Sequence, residues 1–165
     1  MAYTTIPKST DYFAPEIYTG NGSSKTISTL NFQPDWVWIK NRATTDMNVL
    51  FDSLRGATKR IASDSTAAEA TEAQDLTAFN TNGFTVSTSG AVNSNSVSYA
   101  SWNWKGGTTS GIATNGDTDI TPSSYSFNQT SGFSIIRYTG IGGQPIQIPH
   151  GLGVQPKMFI IKRLN

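Results

Sequence analysis

The sequence predicts an all-β fold, an antiparallel β-sandwich or jelly roll, followed by the start of a second domain of the same kind. Short stretches of strand character separated by turn signals fill most of the 165 residues, whereas helix signals are scarce. Only 14% of the residues are charged and 15 are glycine, a composition that suits strand-rich surfaces. The second domain is predicted from an internal repeat.

The repeat returns the opening motifs of the chain near its C-terminus. Tyr18-Thr19-Gly20 returns as Tyr138-Thr139-Gly140, 120 residues later. The segment 33–40 returns as 155–162, 122 residues later, and keeps Gln-Pro and an apolar run. Solenoid units are shorter, roughly 20–50 residues. We therefore expect one whole domain followed by the opening strands of another.

These patterns divide the chain into four predicted parts. Residues 1–17 are predicted to form an extended N-terminal arm that orders on binding. Residues 18–105 form the sandwich domain, and the Gly/Ser/Thr-rich residues 106–131 form a linker. Residues 132–165 supply the opening strands of the second repeat.

Individual elements follow from local patterns. The apolar run 36–39, kept in the second copy, predicts a strand buried on both faces. Residues 65–74 favour a short surface helix or an ordered loop. Gly20 and Gly140 are interpreted as turn residues with positive φ. The remaining predicted strands are two hairpins, 49–54 with 57–62 and 76–79 with 84–87, and the strands 97–105 and 133–138.

The composition excludes several classes of function. Lys and Arg number 12 against 11 Asp and Glu, a net charge of +1 that argues against nucleic acid as a partner. Cysteine is absent, so no disulfide, thiolate metal site or thiol nucleophile can form. The sequence shows neither a membrane span nor a secretory signal. We expect a soluble product that is made in a cytoplasm and does not insert into membranes.

Residues able to carry chemistry are few. His150 has no second histidine or clustered carboxylate around it in the sequence, so we expect an exposed or turn-capping side chain rather than a metal ligand or base. Asp52 stands out among the carboxylates because it lies in an apolar strand, but local N–H groups usually satisfy such a residue. Residues 115–119 resemble a calcium loop without its terminal Glu, which favours an Asx turn. We therefore expect no catalytic, cofactor-binding or metal-binding residues.

The four tryptophans leave two interpretations open. Trp102 and Trp104 share one face of their strand, and Trp36 and Trp38 share one face of theirs. Such side chains can stack on sugar rings, or they can fill the core of the sandwich. The sequence favours the core, although one pair could be an exposed platform. The ligand-binding residues stay open.

Seven motifs, taken in order along the chain, carry a resemblance to a known family. They lie at 1–6, 18–22, 32–42, 50–59, 83–86, 99–105 and 150–153. Together they resemble repeat-containing structural proteins of tailed bacteriophages, especially those of aquatic hosts. The resemblance implies a long virion component, a fibre or a decoration, built from repeated β-domains of lectin-like sandwich character. No catalytic pattern of the family can be placed on this chain.

The resulting hypothesis is a virion structural protein, the N-terminal, particle-anchoring part of a fibre or appendage used in host attachment. The alternatives are a carbohydrate-binding module for host surface glycans and a capsid decoration protein; an enzyme is not expected. The expected partners are the chain itself, as a homo-oligomer and specifically a trimer, other virion proteins and, in the second case, a glycan. The apolar segment 158–161 would be an aggregation hazard as a bare edge. It should pair with the first domain, a neighbouring subunit or a second domain.

Overall fold

The computed structural model describes residues 8–143 and 145–165, and nearly all of its regular structure is β. A single 3-10 turn at Ser9–Asp11 precedes the first strand. The other elements are β1 Phe13–Thr19, β2 Lys25–Ile27, β3 Trp36–Asn41, β4 Val49–Asp52, β5 Lys59–Ala62, β6 Ala70–Thr71, β7 Leu76–Asn80, β8 Gly83–Val86, α1 Gly90–Asn93, β9 Ser98–Trp104, β10 Ser124–Asn128 and β11 Phe133–Arg137.

The larger sheet has six strands in the order β1-β9-β3-β4-β5-β6, and each neighbouring pair is antiparallel. β9 lies between β1 and β3 in the sheet, although it is far from both of them in the sequence. Its Trp102 lies opposite Pro15 of β1 and opposite Trp38 of β3. This register fixes which side chains of the three strands share a face.

A smaller sheet, in the order β2-β8-β7, packs over one face of the larger one. The two packed antiparallel sheets confirm the predicted all-β sandwich. Because the strands alternate, every second residue of the larger sheet points into the space between the layers. The buried core consists of Tyr18, Ile27, Val37, Ile39, Val49, Phe51, Leu76, Phe84, Val86, Val92 and Tyr99.

Both predicted hairpins form, with turns that differ in width. Between β7 and β8 only Thr81 and Asn82 remain, and Gly83 takes a φ of 153°. β4 and β5 are separated by residues 53–58, a longer turn than the predicted Arg55-Gly56 interval. Within this turn the Arg55 side chain donates to the carbonyl oxygen of Lys59 at 3.1 Å. The strands keep the register that a turn at Arg55-Gly56 predicts, with Leu50 opposite Ile61.

Residues 65–74 take the ordered-loop alternative rather than the helix. The segment has no apolar stripe with which a helix could pack. Two arginines of the β4–β5 hairpin region instead bind its carboxylates: Arg55 contacts Glu69 and Arg60 contacts Glu72. The described residues of this region form only the two-residue strand β6. The short helix α1, capped by Ser89, was not predicted.

The predicted arm, residues 1–17, coincides only partly with the described chain. Residues 1–7 lie outside the described residues, and residues 13–17 belong to β1, where they pair with β9. Pro15 is compatible with a strand here because β1 is at the edge of the sheet, where a missing N–H is tolerated. Residues 13–17 therefore belong to the sheet.

The structure corrects two interpretations of the repeat motif. The strand over 36–39 is buried on one face only, since Val37 and Ile39 have no exposed surface whereas Trp36 and Trp38 are partly exposed. Neither Gly20 nor Gly140 has a positive φ. A Cβ on Gly20 would instead lie 2.1 Å from the carbonyl oxygen of Ser94, so close packing explains that glycine.

The C-terminal part contains one hairpin. β10, which lies inside the predicted linker 106–131, pairs with β11. Phe133 begins β11 just as Phe13, 120 residues earlier, begins β1, so the repeat extends to the strand before Tyr138. No strand occurs in the described residues after Arg137.

Candidate functional site

The four tryptophans lie together on the outer face of the larger sheet. Trp36 and Trp38 of β3 pair with Trp104 and Trp102 of β9, and all four are partly exposed. The prediction that they fill the core is wrong. The inner positions of β9 are taken by Tyr99, Ser101 and Asn103, all fully buried, and the alternation of the strand then directs its tryptophans outward.

Polar residues can occupy the inner face of β9 because the amide N–H groups of Asn103 find acceptors, although Asn103 Oδ1 accepts no hydrogen bond from the described residues. The Asn103 side chain donates to the carbonyl oxygen of Ala14 at 2.9 Å and to Ser101 Oγ at 3.1 Å. A buried amide that finds partners avoids most of the cost of leaving water. Hydrophobicity alone would have placed the tryptophans inside.

Aromatic neighbours cover the outer face at Trp104, whereas the face stays open at Trp38 and Trp102. Trp104 packs against Phe13 of β1, with ring centroids 4.8 Å apart, and stacks on Phe133 of β11 at 6.0 Å and 18°. The rings of Trp38 and Trp102 are 6.0 Å apart and meet at 64°. The Trp38 and Trp102 rings therefore form a corner beside the better covered Trp104.

An open cleft of about 280 Å³ lies at this corner, lined by Trp38, Trp102, Trp104 and Asn48. We call it the tryptophan cleft. Asn48, in the loop before β4, accepts a hydrogen bond from Trp38 Nε1 at 3.3 Å. Its polar amide thus fixes the orientation of one aromatic wall.

Asp64, which follows β5 at the open end of the β4–β5 hairpin, holds Asn48 in place. Its carboxylate accepts the Asn48 backbone N–H at 3.1 Å and the side-chain amide at 3.1 Å. Partial desolvation raises the pKa of Asp64, but the hydrogen bonds from Asn48, together with the charge of Lys40, outweigh it and leave that pKa below its ordinary value. Asp64 is exposed and remains an ionised acceptor at neutral pH.

Asp52 is held in a structural ion pair. It accepts the Arg55 backbone N–H at 2.9 Å and the Arg55 Nε at 2.5 Å, and both side chains are almost fully buried. Asp75 also lies inside, where burial raises its pKa although Arg60 contacts it at 3.1 Å. Neither carboxylate lines the tryptophan cleft or the second cleft, beside His150. Neither therefore shows the geometry of an acid or base that meets a substrate.

His150 and the calcium-like loop perform local roles. His150 Nδ1 accepts the backbone N–H of Leu152 at 3.2 Å, and the Asn115 side chain accepts the backbone N–H of Asp117 at 3.1 Å. Both residues line a second open cleft, of about 500 Å³, between their two loops. Within residues 8–143 and 145–165, no three His, Cys, Asp or Glu side chains cluster as a metal site. No helix of this described part is long and apolar enough to cross a membrane.

The site residues that the sequence did not indicate are Asn48, Asp64 and Phe133. They come from a loop, a turn and the C-terminal hairpin, and no short-range motif connects them to the tryptophans. The alternation of β3 and β9 did show that the tryptophans fall in two same-face pairs. It did not show which face is the inner one.

Comparison with known proteins gives a family but no activity. A family model described as "Domain of unknown function (DUF7483)" matches residues 8–165. Neither the curated proteins nor the solved structures gave a match.

Proposed function

The chain belongs to the DUF7483 family, and from its structure we propose that it is a non-catalytic structural module of a bacteriophage virion. In this proposal it forms the particle-anchoring part of a fibre or appendage used in host attachment, and it associates with further β-domains of its own kind. The expected assembly is a homo-oligomer, a trimer, bound to other virion proteins. A capsid decoration protein is the alternative place on the particle.

The observation that carries this proposal is the unburied second copy of the repeat. In the first copy, Val37 and Ile39 have no exposed surface, whereas their counterparts Phe159 and Ile161 are 79% and 70% exposed. These side chains keep the apolar character of a central strand but find no core within the described chain. Contiguous exposed apolar surface of this kind is typical of interaction sites.

The partners of such a strand can be inferred from the first copy. There β3 lies between β9 and β4 and pairs with both strands. In the described chain those strands already flank β3. We therefore propose that segment 158–161 is completed by equivalent strands of another repeat, in a neighbouring chain of the assembly. Strand addition of this kind satisfies the backbone and buries alternate side chains together.

The resemblance to phage structural proteins supplies the setting of the proposal. Repeated β-domains joined end to end suit an extended virion component, and neither the tryptophan cleft nor the cleft beside His150 brings together the groups of a nucleophilic or acid–base enzyme. The absence of cysteine is compatible with assembly in a reducing cytoplasm.

Replacing both Phe159 and Ile161 with lysine is expected to abolish association while the first domain keeps its melting temperature. The charges would have to be buried in the completed sheet, at a cost of several kcal/mol each. Sedimentation velocity and thermal denaturation measure the two effects. The matched control is Ile141→Lys: Ile141 is 65% exposed, and its counterpart Asn21 is exposed in the first copy. A monomeric wild type, or a double variant that associates like the wild type, would contradict the proposal.

The virion setting is tested separately by immunogold electron microscopy of purified particles with an antibody against residues 18–105. Label at one fixed position on the particle supports a virion protein and separates an appendage from a head decoration. Unlabelled particles, with the protein free in the lysate, would overturn this setting.

A further inference from the structure

We propose that the tryptophan cleft binds one pyranose ring of a glycan, stacked on the corner formed by Trp38 and Trp102. A carbohydrate is the ligand class whose chemistry matches this corner best. The inference stands on the outer face of the sheet and does not depend on the association of the second copy with another chain or on the place of the chain in a particle.

The aromatic walls match one side of a pyranose. The ring of a sugar carries C–H groups on its faces, and the faces of aromatic side chains are the negative part of their quadrupole. The Trp38 and Trp102 rings meet at 64°, 6.0 Å apart. A flat ring that stacks on one tryptophan therefore meets the edge of the other, which limits how it can slide.

The polar rim matches the hydroxyl edge of the same ring. Asn48 Oδ1 accepts from Trp38 Nε1, and one N–H of its amide donates to Asp64. An amide has a second N–H and a second lone pair, so Asn48 can still both donate to and accept from a hydroxyl. Asp64 accepts from both the backbone and the side-chain N–H of Asn48 and so holds that amide in place. Such hydrogen bonds to a charged acceptor are stronger than those between neutral groups.

The size and charge of the cleft argue against other occupants. At about 280 Å³ it lies just below the range of drug-sized pockets, which suits a single ring rather than an aromatic side-chain cluster of a protein partner. Stacking proteins that bind single-stranded nucleic acid surround their aromatic residues with a positive groove. Here the four residues that line the cleft include no lysine or arginine.

The preorganisation of the face supports a binding role. Trp104 is fixed between Phe13 and Phe133, and Trp38 is fixed by Asn48. Both tryptophans stand on neighbouring central strands of the sheet, so little side-chain entropy remains to be lost when a ligand binds. Rigid aromatic walls with a few polar groups at the rim are the usual composition of a ligand site.

The test uses the whole chain and a panel of immobilised oligosaccharides that present gluco-, galacto- and manno-configured hexopyranoses. The sugars that bind are then titrated against the tryptophan fluorescence of the protein. We expect saturable binding and a fluorescence change for at least one configuration. Trp102→Ala should weaken that binding about 10- to 100-fold, as does the loss of one aromatic ring that stacks on a nucleic-acid base. Trp102→Phe should restore part of it.

Two further variants keep the test decisive if Trp102→Ala folds poorly. Asp64→Asn weakens the anchor of Asn48 at an exposed position, so the fold should be kept while the affinity falls several-fold. Asp117→Asn, in the distant Asx turn, is the matched control and should bind like the wild type. No binding to any member of the panel, or equal affinities for wild type and Asp64→Asn together with Trp102→Phe, would overturn the proposal. It would also be overturned if the variants changed the sedimentation of the protein and not its sugar binding, because the face would then be a protein interface.

Discussion

Replacing Arg55 with methionine is expected to lower the free energy of unfolding by about 3–5 kcal/mol. The side chains of Arg55 and Asp52 are only 5% and 4% exposed, and their charged groups are 2.5 Å apart. Arg55 also bonds Glu69 at 3.1 Å and the carbonyl oxygen of Leu50 at 3.3 Å. Methionine fills a similar volume but leaves the buried Asp52 carboxylate without its countercharge, which is why the loss is large.

The control for this experiment is Arg137→Met, because Arg137 is exposed and the structure gives its guanidinium no ion pair among the described residues. It should change the free energy of unfolding by less than about 0.5 kcal/mol. Urea denaturation of both variants gives the comparison. Adding Asp52→Asn to Arg55→Met should recover part of the loss, since the unpaired charge disappears. Equal midpoints for Arg55→Met and Arg137→Met would show that Asp52 does not depend on the pair, and its structural assignment would fail.

The sequence showed that residues of strand β9 alternate between two faces, but it did not show which of the two faces is buried. The alternation in 97–105 correctly predicted β9 and the pairing of Trp102 with Trp104 on one face. The rule that large apolar residues are buried then favoured the tryptophans for the core. The outcome depended on Ser101 and Asn103, whose burial is supported by the hydrogen bond from the Asn103 side chain to the carbonyl oxygen of Ala14, on a strand far away in the sequence. That partner is fixed by tertiary pairing, which no local pattern shows.

The same limit explains the missed residues of the cleft. Asn48 and Asp64 are separated by 16 residues and meet because β4 and β5 pair antiparallel. The hairpin itself was predicted, since turn chemistry and apolar runs are local signals. The register at its open end, Leu50 opposite Ile61 and Val49 opposite Ala62, is also the one that a turn at Arg55-Gly56 predicts. The local signals did not show that Asn48 and Asp64, just beyond the paired ends, bond each other, or that Asn48 reaches Trp38 of the neighbouring strand.

Substituting Gly20 with alanine is expected to destabilise the protein by about 3 kcal/mol, at the upper end of the usual cost of overpacking. The added Cβ would lie 2.1 Å from the carbonyl oxygen of Ser94 and 2.9 Å from the carbonyl carbon of Asn93. The loop cannot easily retreat. Gly20 donates to the carbonyl oxygen of Val97 at 2.7 Å and accepts from Ser96 at 2.9 Å. The φ of Gly20 is not positive, so the loss reports packing rather than backbone strain.

The second copy of the repeat contains the matched control. A Cβ on Gly140 would meet nothing within 4 Å, so Gly140→Ala should leave the melting temperature of the isolated chain unchanged, whereas Gly20→Ala should lower it by several degrees. Equal melting temperatures for the two variants would contradict the packing explanation of Gly20. In the assembly that we propose, a completed second copy brings to Gly140 the loop that Gly20 meets in the first. Gly140→Ala should then weaken association in sedimentation experiments while it leaves the fold intact, and a variant that associates like the wild type would argue against completion of the second copy.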